Sequence, residues 1–175
     1  MAADICIRTC SPGDDHALAV IGQATFLETY ASVLAGPDIL AYCATSHSID
    51  TYRRWLTKPD YKLWLAEVRP GHAPVGYMVT APADLPLPDV SPRDVEIRRI
   101  YVFSKYQGGG LGKRLANEAI ADSRTRQAQR LLLGVYSRNE AAIGFYTHMG
   151  FRHLGTRKFQ VGSQTCDDNI MGLSL

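Results

Sequence analysis

Six residues, Gln107-Gly-Gly-Gly-Leu-Gly112, interrupt a β-branched run and lead into a stretch of helical periodicity. Strand, glycine loop and helix in that order suit phosphate. Glycine lets the backbone come close, and the first N–H groups of the helix point at the anion. Two familiar phosphate loops do not fit. A Walker loop needs glycine where Gln107 stands and Ser or Thr where Arg114 stands. A dinucleotide fingerprint from Gly108 or Gly110 would need its last glycine at Lys113 or Leu115. Neither an NTP nor NAD is indicated. Cys6, Cys10, Cys43 and Cys166 form no CxxC pair and no Cys/His ligand spacing, so they read as idle thiols of a reducing compartment, with no metal expected. His148 and His153 read as surface residues, and Trp55, Trp64 and Tyr61 as core.

The surrounding pattern supplies the elements that would position such a loop. Ile5 and Ile7 alternate with polar neighbours as a first strand. Ser11-Pro-Gly-Asp14 reads as a helix start with Ser11 as cap, and the helix runs to about Tyr30, with Leu18, Ile21, Thr25 and Leu27 to Tyr30 turned inward. Further helices are expected after Pro37-Asp38 and after Ser48. Tyr61–Val68 and Pro74–Ala81 form a hairpin through Pro70-Gly71-His72. Prolines crowd the segment from Pro82 to Pro92, which must be loop. Asp94–Phe103 is a strand, a helix starts near Leu111, and Leu131–Tyr136 is a buried strand. Ser137-Arg-Asn-Glu140 has the form of a capping box for a helix ending at Gly150. Phe151–Val161 and Thr165–Leu175 close the chain as strands. The expected class is α+β: a mixed, mostly antiparallel twisted sheet flanked by helices, with one β-α-β crossover at residues 94–136.

With 175 residues, 46% hydrophobic, the chain suits one domain spanning 1–175 with a core of its own. No apolar run is long enough for a bilayer, and Met1-Ala-Ala-Asp4 does not open a secretory signal, so a soluble cytoplasmic protein is expected. A net charge of +2 is too small to suggest nucleic acid. Its distribution is uneven. Residues 1–97 hold 7 Lys/Arg against 12 Asp/Glu, and residues 98–175 hold 12 against 5. An anionic ligand in the second part and a cationic one near the first would follow, unless the unevenness is only that of a solvated surface.

Gln107, Gly110 and Gly112 in the order Gln-x-x-Gly-x-Gly, directly after Ile100-Tyr-Val102, are similar to the acetyl-CoA pyrophosphate loop of the GNAT superfamily of N-acetyltransferases. Asn139 and Tyr146-x-x-x-Gly150-Phe151 match the later segment of that family, so the resemblance covers residues 94–155. The N-terminal helices and Asp168-x-Ile170-Met171 more loosely resemble the bacterial spermidine acetyltransferase branch. The resemblance implies acetyl-CoA as co-substrate, a GNAT-like sheet, and no metal. By position, Ile100, Tyr101 and Val102 would pair with the pantetheine arm. Gln107, Gly108, Gly109, Gly110, Leu111, Gly112 and Lys113 would cradle the pyrophosphate, with Asn139 and Tyr146 also at the cofactor. Gly109 stands where relatives often carry a longer basic residue. Lys113, Arg114 and Arg138 are candidate supplements, or ordinary solvated cations.

Acetyl transfer to an amine poses two proton problems. The leaving thiolate needs a proton, and the resemblance gives that task to Tyr146, unless it is a core tyrosine beside Ala142 and Phe145. An alkylamine of pKa near ~10.4 must lose a proton before it attacks. Glu96, eleven residues before Gln107, has the offset of the general base in histone-type members. Pairing with Arg98 as a structural ion pair is the alternative, and a water chain would need no base. Backbone N–H groups near a bulge at Arg99 or Ile100 could form an oxyanion site. The expected partner is a small-molecule amine acceptor, cationic or polyamine-like, bordered by the loop 82–94 with Asp84 and Asp89, unless those two are ordinary solvated loop acids; a homodimer is left open. The competing function is a non-catalytic acyl-CoA-binding or sensor domain on the same fold.

Overall fold

The computed structural model describes residues 4–175, and the expectation drawn from Met1–Ala3 lies outside the described residues. Strands β1 (Ile5–Thr9), β2 (Lys62–Val68), β3 (Ala73–Pro82), β4 (Asp94–Val102), β5 (Arg130–Tyr136), β6 (Arg152–Val161) and β7 (Gln164–Ser174) form one sheet. Their spatial order is β1-β2-β3-β4-β5-β7-β6. Every neighbouring pair is antiparallel except β4 and β5, which α4 (Leu111–Thr125) connects. The mixed, mostly antiparallel sheet with a single crossover is therefore as expected.

Both faces of the sheet are covered. In β2, Trp64 and Ala66 face α4 and α5 (Glu140–His148), while Leu63 and Leu65 face α1 (Asp15–Tyr30) and α3 (Ile49–Leu56). Strands buried on both sides read as near-continuous apolar runs, which is why β2 and β5 lack clean alternation. α2 (Gly36–Ser46) covers the outer strands, packing Ile39 and Cys43 against Val161 and Cys166. Ser48 caps α3 by accepting from the Thr51 N–H, as its position suggests. Among the described residues no helix is long and apolar enough to cross a membrane.

Two helix starts differ from expectation. Ser11–Asp14 is a turn with Gly13 at φ +106°, and α1 begins only at Asp15. The Asp14 carboxylate is occupied by the Ser11 N–H and by the Arg8 fork, so it caps the turn instead of the helix. Leu27 is exposed. α5 begins two residues later than the Ser137 capping box would place it, because Asn139 takes the cap and accepts from Ala142 N–H at 3.1 Å. At its other end Gly150, at φ +94°, allows Phe151 N–H to reach Tyr146 O and Gly150 N–H to reach Thr147 O. That paired closure needs the left-handed conformation glycine adopts without strain.

The ladder between β4 and β5 is short. It pairs Asp94–Ile97 with Arg130–Leu133 and then stops, although both strands continue. β4 stays on β3 as far as Val102, and β5 stays on β7 as far as Tyr136. At the parting point β4 carries an extra residue: Thr80 faces Ile97 and Val79 faces Arg99, leaving Arg98 as a bulge. The closed half of the pair is locked by Arg130, which donates to both oxygens of buried Asp94 at 3.1 and 2.6 Å and to Asp89 at 2.9 Å.

Removing one partner of this lock should be costly. Asp94→Ala leaves Arg130 only the exposed Asp89 and is expected to destabilise by about 3 kcal/mol, the lower end of the range for breaking a buried ion pair. Burial alone would raise the Asp94 carboxyl, but the Arg130 fork and the Ser91 donors outweigh it and hold it below its ordinary value. A carboxyl lowered on folding stabilises above its unfolded value, near ~3.9, and loses that contribution as pH falls through the folded one. Urea titrations from pH 6 to pH 2 should therefore show a flatter acid limb for Asp94→Asn than for the parent chain.

Candidate active site

Where β4 and β5 part, a cavity of about 920 Å³ passes through the sheet. Ile97, Ile100, Val102, Leu133 and Val135 line it from the α4–α5 side. Arg99, Tyr101, Gly134, Tyr136 and Arg157 line it from the α1–α3 side or across the strands. The facing edges of Arg98–Val102 and Gly134–Tyr136 have no ladder partner in each other, so backbone donors and acceptors are left for an extended ligand. Of the residues expected to pair with pantetheine, Ile100, Tyr101 and Val102 all lie on this open edge.

At one mouth stand Gln107, Gly108, Gly110, Gly112 and Lys113. Gly108 and Gly110 have φ of +77° and +82°, which explains glycine at both, and Gly110 is the N-cap of α4. No side chain caps this helix, and its first turn holds no acidic residue, so its positive end is available to an anion. A Cβ on Gly109 would meet nothing within 4 Å and its φ is ordinary, so packing does not require glycine there. Gln107 turns back and donates from Nε2 to Val102 O at 2.9 Å, tying the loop to the end of β4. Arg138 and Asn139 complete this mouth, while Arg114 points away and donates to Ile5 O at 2.8 Å. Asn139 Oδ1 is committed to the helix cap, so its amide N–H groups are what it presents to the cavity.

Tyr146 lies on the cavity wall and is 7% exposed, packed edge-on against Phe145 and Phe151. Burial alone pushes its hydroxyl above the ordinary phenol value, and among the described residues no hydrogen-bonding partner opposes that shift. The hydroxyl is thus protonated at any working pH. It is available as a donor.

Beyond the sheet the cavity opens into an aromatic compartment. Phe26 stacks on Tyr42 at 4.7 Å, and Tyr42 meets Phe159 edge-on at 5.9 Å. Arg99 lies over Trp55 at 4.6 Å, so Trp55 is a stacking platform as well as core, and Tyr61 similarly underlies Arg98 at 5.6 Å. Tyr52 Oη accepts from Arg99 Nη1 at 2.9 Å and lies 2.9 Å from His47 Nδ1. Burial, and then the charge of Arg99, push His47 down to about 2, so the ring is neutral. Asp168 brings a carboxylate into the compartment and accepts from Arg157 Nε at 3.1 Å. Burial raises its carboxyl above the ordinary range, and Arg157 offsets that only in part.

Glu96 lies elsewhere. It is 4% exposed, accepts from Asp84 N–H at 3.0 Å, and sits 3.7 Å from Arg157 and 4.0 Å from Arg98. It does not line the cavity, whereas Arg157 and Asp168 do, and Arg157 reaches Glu96 from Nη1 and Asp168 from Nε. The proline-rich segment does not border the cavity either. Leu85 packs on Leu132 and Ile170, Asp89 pairs with Arg130, and Asp84 flanks Arg98 at 3.9 Å. No local motif gives a role in the inner compartment to the side chains of His47, Arg99, Arg157 and Asp168, although Asp168 opens the loosely matching Asp168-x-Ile170-Met171 segment; only the register of β5, β7 and β6 brings Tyr136, Asp168 and Arg157 level. Cys6, Glu67 and His72 cluster at the β1–β2 edge within 4.8 Å, but the Glu67 carboxylate is occupied by both arms of Arg8.

A family model described as the acetyltransferase (GNAT) family matches residues 29–151. An uncharacterized N-acetyltransferase of Mycobacterium bovis is 28% identical over 158 residues, covering 90% of this chain and 96% of that protein. An uncharacterized N-acetyltransferase of Lactobacillus delbrueckii subsp. lactis is 26% identical, covering 89% and 88%. Among solved structures, the PaiA N-acetyltransferase of Thermoplasma acidophilum, in complex with coenzyme A, superposes with a TM-score of 0.80 at 20% identity, covering 98% of this chain and 99% of that one. The ribosomal-protein-alanine N-acetyltransferase of Brucella melitensis gives a TM-score of 0.73 at 25% identity, covering 97% and 99%. With the family match spanning the split strands, the glycine loop and α5, the chain belongs to the acetyltransferase (GNAT) family.

Proposed function

We propose that the protein transfers the acetyl group of acetyl-CoA to a primary amine by direct attack. The observation that carries this reading is the break between β4 and β5, which connects the uncapped start of α4 to the aromatic compartment through the sheet. The pyrophosphate takes the Gly108–Lys113 backbone, and the pantetheine arm takes the open edge of β4. The amine enters from the aromatic side. Its nitrogen forms the C–N bond with the thioester carbonyl, the C–S bond breaks, and Tyr146 donates a proton to the departing sulfur. Asp168 receives the proton lost by the ammonium, since its carboxyl faces the cavity and burial makes it a stronger base than an exposed aspartate. Glu96, which the family offset suggested for that task, acts one ion pair further back, by positioning Arg157. The looser likeness to the spermidine acetyltransferase branch would make the acceptor a polyamine, so polyamines belong in any acceptor panel. A non-catalytic acyl-CoA sensor on the same fold would bind coenzyme A yet release no thiol with any amine.

Three measurements test these assignments. Gly110→Asp should abolish coenzyme A binding in calorimetry, because it sets a carboxylate against the pyrophosphate at a position where φ is +82°. A folded variant with unchanged affinity would remove the cofactor reading. Tyr146→Phe keeps the ring packing and should lower kcat by about 10²–10⁴ with coenzyme A affinity intact. The loss should shrink with a thioester whose thiol is more acidic, and normal turnover would rule out the phenol as the acid. For the base, kcat/KM should rise with pH as Asp168 loses its proton. Asp168→Asn should lower it by about 10²–10⁴ and flatten that limb, whereas Glu96→Gln should cost less than about tenfold. The opposite order of losses would return the base role to Glu96.

A further inference from the structure

The inner compartment holds two guanidinium groups, and they are not equivalent. Arg157 lies between two carboxylates, Asp168 at 3.1 Å and Glu96 at 3.7 Å. Arg99 has no carboxylate partner among the described residues. Its hydrogen-bonding contacts are Tyr52 Oη at 2.9 Å and His47 Nδ1 at 3.3 Å, both made through Nη1. His47 is held neutral, and the nearby phenols Tyr52, Tyr77 and Tyr101 are pushed up by burial, so none of them balances the charge. Trp55 and Tyr52 stack on the guanidinium and fix its plane. Nε and Nη2 are left without a partner on a side chain that lines the cavity. A guanidinium cannot shed its proton, so a half-buried one of fixed orientation and free donors calls for an anion, and its fork matches a carboxylate best.

We propose that the acceptor is a free amino acid, its carboxylate bound by Arg99 and its amino group facing Asp168. This rests on the acetyltransferase reading and names the substrate class of that same site. The compartment then receives both charges of a zwitterion, with one residue of opposite sign for each. Phe26, Tyr42 and Phe159 supply apolar walls for a side chain. A polyamine fits poorly, because any second ammonium entering the compartment meets Arg99 as a like charge.

Acetyl-CoA turnover, read by thiol release, should be compared for phenylalanine, phenylalaninamide and spermidine. Phenylalanine should have the highest kcat/KM although its ammonium is less acidic than the amide's, with the advantage over the amide residing in KM. In Arg99→Gln that advantage should fall by about 10–100-fold, the range for losing a charge-assisted hydrogen bond, while coenzyme A affinity holds. Arg99→Lys, which keeps the charge and loses the fork, should fall between. Equal turnover of amide and acid, preference for spermidine, or an Arg99→Gln loss shared equally by all three would overturn the proposal while leaving the transferase reading standing. If no amine turns over, the transferase reading fails, and calorimetry still tests the anion site. N-acetylphenylalanine should bind the coenzyme A complex at least tenfold more tightly than N-acetylphenylalaninamide, and equal binding would sink the site.

Discussion

The structure turns on a hydrogen-bond ladder that stops early. β4 and β5 pair over Asp94–Ile97 and Arg130–Leu133 and then leave their facing edges unpaired inside the protein. Unsatisfied backbone groups in such a place cost about 1–3 kcal/mol each unless water or a ligand meets them. The gap is held open because each strand is committed on its other side, β4 to β3 and β5 to β7. The Asp94–Arg130 pair keeps the closed half closed, so the parting begins at a defined residue. α4 starts directly beyond the open end, and its free N–H groups face the same mouth.

The bulge at Arg98 explains why one strand can serve two compartments. In a regular strand, Ile97 and Arg99 would share a face. The extra residue breaks the alternation, so Ile97 packs toward α4 and α5 while Arg99 stacks on Trp55 and Tyr52 of α3. Ile100 and Val102 then resume the α4–α5 side, and Tyr101 packs toward α1. The α4–α5 side of the cavity is thereby apolar with a backbone edge, and the other side carries charge. One irregular residue separates the two chemistries.

Most elements were legible because their signals are local: Ser48 ahead of α3, the glycines around α4, and Gly150 after α5. The two starts that slipped involved competition for a cap. Asp14 was drawn off by Arg8, and Asn139 outcompeted Ser137 two residues upstream. The glycine loop and Tyr146 could be marked by spacing, since both lie on contiguous segments. His47, Arg157 and Asp168 could not, because the end of α2 brings His47 to Arg99 and strand register brings Arg157 level with Asp168. The excess positive charge of residues 98–175 is divided between the two ends of the cavity. Arg99 and Arg157 carry part of that positive charge into the compartment opposite the glycine loop, and the acids of the 82–94 loop lie by Arg98 and Arg130, away from the cavity.

The position of Glu96 has a physical consequence even outside the cavity. Had Arg157 only Asp168 to serve, a complete ion pair would hold that carboxyl low and make it a weak proton acceptor. Arg157 instead lies between two acids, reaching Glu96 from Nη1 and Asp168 from Nε. Its charge is divided, and burial remains the dominant influence on Asp168, raising it. On the proposed assignment, the glutamate at the family's base offset works by competing for the arginine, which leaves the second carboxylate basic enough to take a proton. Arg99, on β4 and free of any such competitor among the described residues, keeps its full charge for an anion. The two arginines differ in the acids around them, and that difference gives the compartment one basic and one cationic contact.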